Sequence, residues 1–310
     1  MRIYYSDIFV LPLPDDHRFP MGKYSLLRER VVGAELVLQD NLLVPPPASR
    51  EEIERVHDAD YVQRVFAGEL TAREQRVIGF PWSPALVVRS RQSAGATLAA
   101  CRSALTDGVS VNLAGGTHHA YPDHGQGFCV FNDAAIAARA IQAEGLAQRI
   151  VVIDCDVHQG NGTAAIFADD PSVFTFSIHG ANNFPFHKEA SDLDVALPDG
   201  TGDHDYLAAL QVSLARLDLA AFDLAIYLAG ADPFVGDTLG RLGLSKQGLA
   251  ERDCMVLEAC RDASLPVAVV MAGGYARQVE DIADIHFTTV RIASEMRIPY
   301  RSNVLATTHA

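Results

Sequence analysis

The sequence predicts a three-layer α/β/α protein with a central, mostly parallel sheet, and three observations carry that expectation. Short runs rich in Val, Ile, Leu and Phe recur along the chain and look apolar on both faces, as strands covered by helices on each side require. Segments of helical length and period fall between them, the alternation of a doubly wound fold. Several of the apolar runs also end directly in motifs that combine glycine with His, Asp or Tyr.

Taken in order, roughly the first 80 residues read as helical, through KYSLLRERVVGAELVL (23–38) and EIERVHDADYVQRVFAG (52–68), with the Pro-rich VPPPAS (44–49) as a loop. The strands are expected at VSVNLA (109–114), RIVVID (149–154), SVFTFSI (172–178), FDLAIYLA (222–229) and LPVAVVMA (265–272). SRQSAGATLAACRSAL, NDAAIAARAIQAEG, HDYLAALQVSLARLD and SKQGLAERDCMVLEACRDA supply the intervening helices. Asn132 and Ser245 fit as N-caps, because their side-chain oxygens accept from the free N–H groups of a first turn. No repeat, low-complexity tract or linker interrupts the alternation, so residues 1–310 are read as one domain.

Composition narrows the function. The net charge of −14 over 310 residues argues against direct nucleic-acid binding and against an anionic membrane surface. There is no basic and apolar leader and no run of about 18 apolar residues, so a soluble, cytoplasmic protein without a membrane span is expected. Five cysteines, an odd count without CxxC spacing, suggest neither disulfides nor a thiolate metal site. Any metal would use oxygen and imidazole. Oligomeric state leaves no mark.

The stretch VVIDCDVHQGNGT (151–163) places Asp154, Asp156 and His158 at alternate positions, which share one face of a strand. Alone, such a stretch reads as a solvated turn. Three other runs end in GGTHHAYPDHGQGFCVFND, GADPFVGD and GGYARQ, and parallel strands would collect all four at one sheet edge, where open α/β sheets bind ligands. Asp156, His158 and Asp232 then offer three N/O ligands, the number in a catalytic zinc site that keeps a position open for water. His118 and His119 offer a general base and acid. Tyr275, after Gly273 and Gly274, is placed to donate to a developing oxyanion.

These motifs together resemble the zinc-dependent histone deacetylase family of the arginase and deacetylase fold, over about residues 17 to 286. HRFPMGKYSLLRERV and VIGFPWSPALVVRS look most like its class IV branch and bacterial relatives. The resemblance implies Zn2+, with Fe2+ as the alternative ion, on Asp156, His158 and Asp232. It implies His118 and His119 as the acid/base pair and Tyr275 as the residue that orients the scissile carbonyl. Asp154 would back His118 and join Ser177 and Ile178 in a structural K+ or Na+ site. An acyl-lysine tunnel would be lined by Phe128, Gly127 and Gly273, with Phe184 or Phe186 opposite. The implied substrate is an acyl-lysine protein or peptide, with acetyl or longer chains, or else a small acylated amine such as an acetylpolyamine.

Two departures stand out. Asn161 occupies a place where several members have Asp, which favours His119 as base because a neutral partner stabilises imidazolium less. Ala272 shortens the glycine run before Tyr275, a change read as one of packing. A two-manganese ureohydrolase is disfavoured, since LAGADPF supplies one Asp where two would stand. A non-catalytic binding protein is disfavoured by the complete set of candidate groups. His17, His57, His179 and Trp82 read as packing or capping residues, with the His17 loop and Trp82 as marginal candidates for the pocket rim; His187, His204 and His286 carry no motif.

Overall fold

The computed structural model describes residues 1–14 and 17–299; residues 15, 16 and 300–310 of the single-domain reading lie outside the described residues. The strands are β1 (Arg2–Tyr4), β2 (Leu42–Leu43), β3 (Val109–Asn112), β4 (Ile150–Asp154), β5 (Val173–Gly180), β6 (Leu193–Leu197), β7 (Leu224–Leu228) and β8 (Val267–Val270). They form one sheet in the order β2-β1-β3-β8-β7-β4-β5-β6, with every recorded pairing parallel.

Both faces of the central strands are dry. On one side Ile150 and Val152 of β4, Leu224 and Ile226 of β7 and Ala268 and Val270 of β8 pack under α5 (Pro84–Asp107) and α6 (Asp133–Ala143). The intervening residues Val151, Ile153, Ala225, Tyr227, Val267 and Val269 face the other side. There they meet α8 (Asp203–Leu214), α9 (Lys246–Asp262) and α10 (Val279–Glu295). The strand period of two thus feeds two separate cores, which is why these runs lack the polar alternation of a half-exposed strand. Asn132 caps α6 by accepting from Ala135 N–H, and Ser245 caps α9 by accepting from Gly248 N–H.

The sheet edges depart from expectation. The N-terminal region carries helices, but it also supplies β1 and β2, which extend the sheet beyond β3. At three and two residues these strands are too short to show a period. At the opposite edge β6 reads LDVAL, with Asp194 facing outwards, so it lacks the double-sided apolar signal. The helix expected over 23–38 stops as α1 (Gly22–Gly33), and Glu35 takes a left-handed φ of 49°. The segment 52–68 divides into α2 (Arg50–Glu54) and α3 (Ala59–Ala67). Two short helices, α4 (Ala72–Ile78) and α7 (Asn161–Phe167), complete the set with α10, which the motif reading did not single out.

His57 sits at the break between α2 and α3 because its side chain is committed elsewhere. Nδ1 lies 2.9 Å from the Tyr121 carbonyl, and Nε2 accepts from Asn132 N–H at 2.9 Å. That pairing requires a neutral ring protonated on Nδ1. Burial pushes its pKa down to about 4, against weaker upward pulls from the Tyr121 and Pro122 carbonyls. The unfolded chain therefore binds a proton first as pH falls. Stability held above pH 6.5 should drain away between about 6.5 and 4, by on the order of 3 kcal/mol for this one group. Urea midpoints measured across that window should fall less steeply for His57→Gln than for the native chain; identical slopes would refute this.

Candidate active site and metal centre

Because the strands are parallel, the segments following β3, β4, β7 and β8 all emerge at one edge of the sheet, and they carry the four motifs. Asp156 and His158 follow β4, Asp232 follows β7, His118 and His119 follow β3, and Gly273 and Tyr275 follow β8. All but Tyr275, which is half-buried, are buried.

Asp156, His158 and Asp232 each turn a ligand atom to a common point, with these atoms within 4.8 Å of one another. His158 Nδ1 lies 2.9 Å from Asp156 Oδ1 and 3.3 Å from Asp232 Oδ2. The remaining carboxylate oxygens are anchored by backbone: Asp156 Oδ2 accepts from Gly273 N–H (2.7 Å) and Asp232 Oδ1 from Val157 N–H (2.9 Å). Asp232 Oδ2 is buried and has no hydrogen-bond partner among the described residues. Two carboxylates converging in a dry place, one oxygen orphaned, suit a divalent cation better than they suit each other. Burial, reinforced by the Asp156 charge, pushes the Asp232 carboxyl up to about 7. Burial opposes charge on His158 too, but its two carboxylate partners win and push it up to about 10.

His118 and His119 stack with ring centroids 4.2 Å apart, yet their surroundings drive them in opposite directions. His118 Nδ1 contacts Asp154 Oδ2 at 2.6 Å. Burial works against its charge, but Asp154 and Asp156 outweigh it and push the pKa up to about 9. His119 Nδ1 contacts the amide oxygen of Asn161 at 2.6 Å, and burial followed by the His118 and His158 charges holds it well below the usual imidazole value. Burial and the neighbouring charges therefore separate the pair, against a weaker upward pull from the Asn161 bond.

A funnel of about 480 Å3 leads to this cluster, and a cavity of about 30 Å3 lies beyond it. His119, His158, Gly127, Phe128 and Tyr275 line both. Phe128, held at a left-handed φ of 66°, lies 5.7 Å from the Tyr275 ring. Of the two candidates opposite, Phe184 packs edge-on to His119 at 4.9 Å, whereas Phe186 stands at the mouth, 79% exposed. Gly273 lines the inner cavity only. Asp154 faces Ser177 across the β4–β5 pair, with Ile178 next along β5; both Asp154 oxygens are engaged, by His118 and by Asp156 N–H.

Several expectations need correction. Ala272 adopts a φ of 52°, so the shortened glycine run loads a left-handed position with a side chain and is more than a packing change. Trp82 does not line the funnel and packs instead: its indole N–H donates to the Val65 carbonyl and its ring lies against Gly68. His17 itself is outside the funnel lining and stacks on Phe80, but its loop does reach the rim, through Arg18.

Other positioning residues carry no motif. Asp133, buried at the start of α6, accepts from Gly116 N–H, Thr117 N–H and two threonine hydroxyls, and so shapes the loop ahead of His118. Asp237 accepts from Tyr275 N–H at 2.6 Å. Lys23, buried in α1, donates to the Ala272 and Gly274 carbonyls under the Tyr275 loop. Each became visible only once distant segments were adjacent.

An all-parallel α/β sheet carries, at its C-terminal edge, a buried Asp–His–Asp cluster that could hold a metal ion, beside a tandem histidine, a combination suited to metal-dependent hydrolysis. The Histone deacetylase domain model matches residues 17–290, and the chain belongs to this family of amide-bond hydrolases. Histone deacetylase 2 of Arabidopsis thaliana is 28% identical over 87% of this chain and 73% of its own length. Polyamine deacetylase HDAC10 of Homo sapiens is 34% identical over 79% of this chain and 40% of its own. The crystal structure of an HDAC homolog from Aquifex aeolicus shares the fold with a TM-score of 0.80, at 24% identity, covering 96% of this chain and 85% of that one. Among the described residues no helix is long and apolar enough to cross a membrane.

Proposed function

We propose that this protein is a zinc-dependent lysine deacetylase acting on proteins or peptides, with Asp156, His158 and Asp232 as metal ligands. The observation that carries the reading is the meeting of that cluster with His118, His119 and Tyr275 between a wide funnel and a very small inner cavity. Zinc would supply Lewis acidity there, making water nucleophilic near neutral pH and polarising the amide carbonyl. His119 takes the water proton at Nε2, since its Nδ1 faces Asn161. The Tyr275 hydroxyl donates to the oxygen of the attacked carbonyl as negative charge develops on it. His118, whose positive charge Asp154 supports, protonates the departing ε-amine as the C–N bond breaks.

The two cavities bear on the substrate. About 30 Å3 beyond the cluster leaves room for a small acyl group only, which favours acetyl over long acyl chains. The funnel is lined by Arg18 and Arg241 and by no carboxylate among the described residues. Arg241 pairs with Asp199 at 3.2 Å, while Arg18 lies over the Phe128 ring, 5.1 Å from its centroid, with no carboxylate partner among the described residues. Such a rim repels polyamines and favours neutral or acidic sequence around the lysine.

Steady-state hydrolysis by the zinc-loaded protein tests this on acetyl-, octanoyl- and myristoyl-lysine peptides with acidic or basic flanks, alongside acetylpolyamines. Acetyl-lysine with acidic flanks should give the highest kcat/KM. Preference for the polyamines would remove the lysine assignment, and preference for myristoyl would remove the cavity argument. Tyr275→Phe should lower kcat by about 10²–10³ with metal content intact. Unchanged turnover would strip Tyr275 of its role.

A further inference from the structure

We propose that Tyr121, held by Glu189, is a positioning residue that orients the Asn161 amide so that His119 carries its proton on Nδ1 and turns the Nε2 lone pair to the pocket. The catalytic consequence rests on the hydrolase reading above; the geometry does not. A side-chain amide can present either its oxygen or its NH2 group to a ring nitrogen, so Asn161 by itself leaves the His119 tautomer open. A carboxylate at that place would accept at either oxygen and leave no choice. Something else must set the direction of the Asn161 bond.

The structure supplies it from the far end. Asn161 Nδ2 lies 3.2 Å from Tyr121 Oη, and Tyr121 Oη lies 2.9 Å from Glu189 Oε1. An ionised carboxylate only accepts, so the single phenolic proton goes to Glu189. Tyr121 Oη must then accept, and what it accepts is the NH2 group of Asn161. That leaves the Asn161 carbonyl oxygen facing His119 Nδ1 at 2.6 Å, where only an N–H completes the bond. In the reverse arrangement the one phenolic proton would have to serve both Asn161 Oδ1 and Glu189 Oε1, and one close pair would be two acceptors in contact.

Each member of the relay is itself held. The Tyr121 ring stacks on His124 with centroids 4.6 Å apart and planes 12° from parallel, and its backbone N–H donates to the His124 carbonyl at 2.8 Å. Its own carbonyl accepts from His57 Nδ1. Glu189 is pinned through its backbone by Gln159, which accepts from its N–H at 2.9 Å and donates to its carbonyl at 2.7 Å.

The test is a double-mutant cycle with a spectroscopic readout on the zinc-loaded full chain. Tyr121→Phe should lower kcat about 10–100-fold with KM within about twofold, the range found when partners behind a catalytic or ligating group are lost. In an Asn161→Asp background the same substitution should cost less than about twofold, because the carboxylate settles the tautomer unaided. Long-range 1H–15N correlation spectra should show His119 protonated at Nδ1 in the native chain and shifted toward Nε2 in Tyr121→Phe. Equal losses in both backgrounds would mean that Tyr121 only packs, and a native His119 protonated at Nε2 would overturn the proposal outright. A tautomer that shifts as expected in a protein that hydrolyses no acylated substrate would uphold the relay and sink the deacetylase reading alone.

Discussion

Gly273→Ala should abolish metal binding in a chain that still folds. A Cβ added at Gly273 would lie 1.9 Å from Asp232 Oδ2 and 2.5 Å from Asp156 Oδ2, well inside any tolerable contact. Those atoms belong to the two carboxylates of the three-ligand cluster. Neither carboxylate is free to swing away. Asp156 Oδ1 accepts from His158 N–H and contacts His158 Nδ1, and Asp232 Oδ1 accepts from Val157 N–H. The Gly273 N–H is itself bonded to Asp156 Oδ2, so retreat of the loop would cost that bond as well. Strain from one extra methyl in a packed interior typically costs about 1–3 kcal/mol, which a folded domain survives. A site of three ligands has no comparable reserve. Zinc content by elemental analysis should fall below about a tenth of the native level while far-UV circular dichroism stays unchanged, because Gly273 lies beyond the end of β8. Full zinc retention would show that the loop yields and that the close approach is incidental.

What the sequence made legible follows from where physical chemistry leaves a local mark. The five central strands stood out because both of their faces are buried, so each is mostly apolar, with only a few polar residues such as Ser110 and Thr175 among them. The ligand-bearing loops stood out because a parallel sheet turns strand ends into neighbours, and four polar, Gly-rich motifs directly following apolar runs are hard to explain as ordinary turns. β1 and β2 escaped notice because three and two residues are too few to show a period, and β6 because an edge strand needs no second apolar face. The positioning groups were illegible for a different reason. Nothing local distinguishes Asp133 from an ordinary first-turn acid, or Lys23 from a helix-surface lysine, until the Gly116–Thr117 and Ala272–Gly274 backbones are brought onto them. His57 was read as a capping or packing residue, and it is structural, but its two hydrogen bonds to segments more than 60 positions away could not be inferred from its local sequence. Ala272 shows the limit of comparing residue types alone, since its cost is set by a backbone angle.

Arg252→Met should destabilise the protein by about 3–5 kcal/mol, the cost of stranding one member of a buried ion pair. Arg252 is wholly inaccessible, and its Nε and Nη2 both donate to Asp253 Oδ1, at 2.9 and 2.8 Å. Tyr227 and Thr289 hydroxyls complete the shell of Asp253, so removing the guanidinium leaves a buried carboxylate with neutral donors only. The pair does more than neutralise itself. Arg252 Nη1 donates to the Gly230 carbonyl at 2.6 Å and to the Cys155 carbonyl at 3.2 Å. Cys155 immediately precedes Asp156, and Gly230 lies two residues before Asp232, so one side chain from α9 ties together the ends of β4 and β7 that carry the proposed metal ligands. Stability and ligand spacing are therefore separable. Adding Asp253→Leu to Arg252→Met should recover much of the urea midpoint, because a buried pair replaced by apolar groups of similar size is often near neutral. Zinc affinity should nonetheless remain about 10–100-fold weaker, as it does when groups behind metal ligands are removed. Recovery of both in the double variant would reduce Arg252 to a counter-ion for Asp253; recovery of stability alone would establish that the guanidinium sets the distance between two strands, and through it the geometry of the metal site.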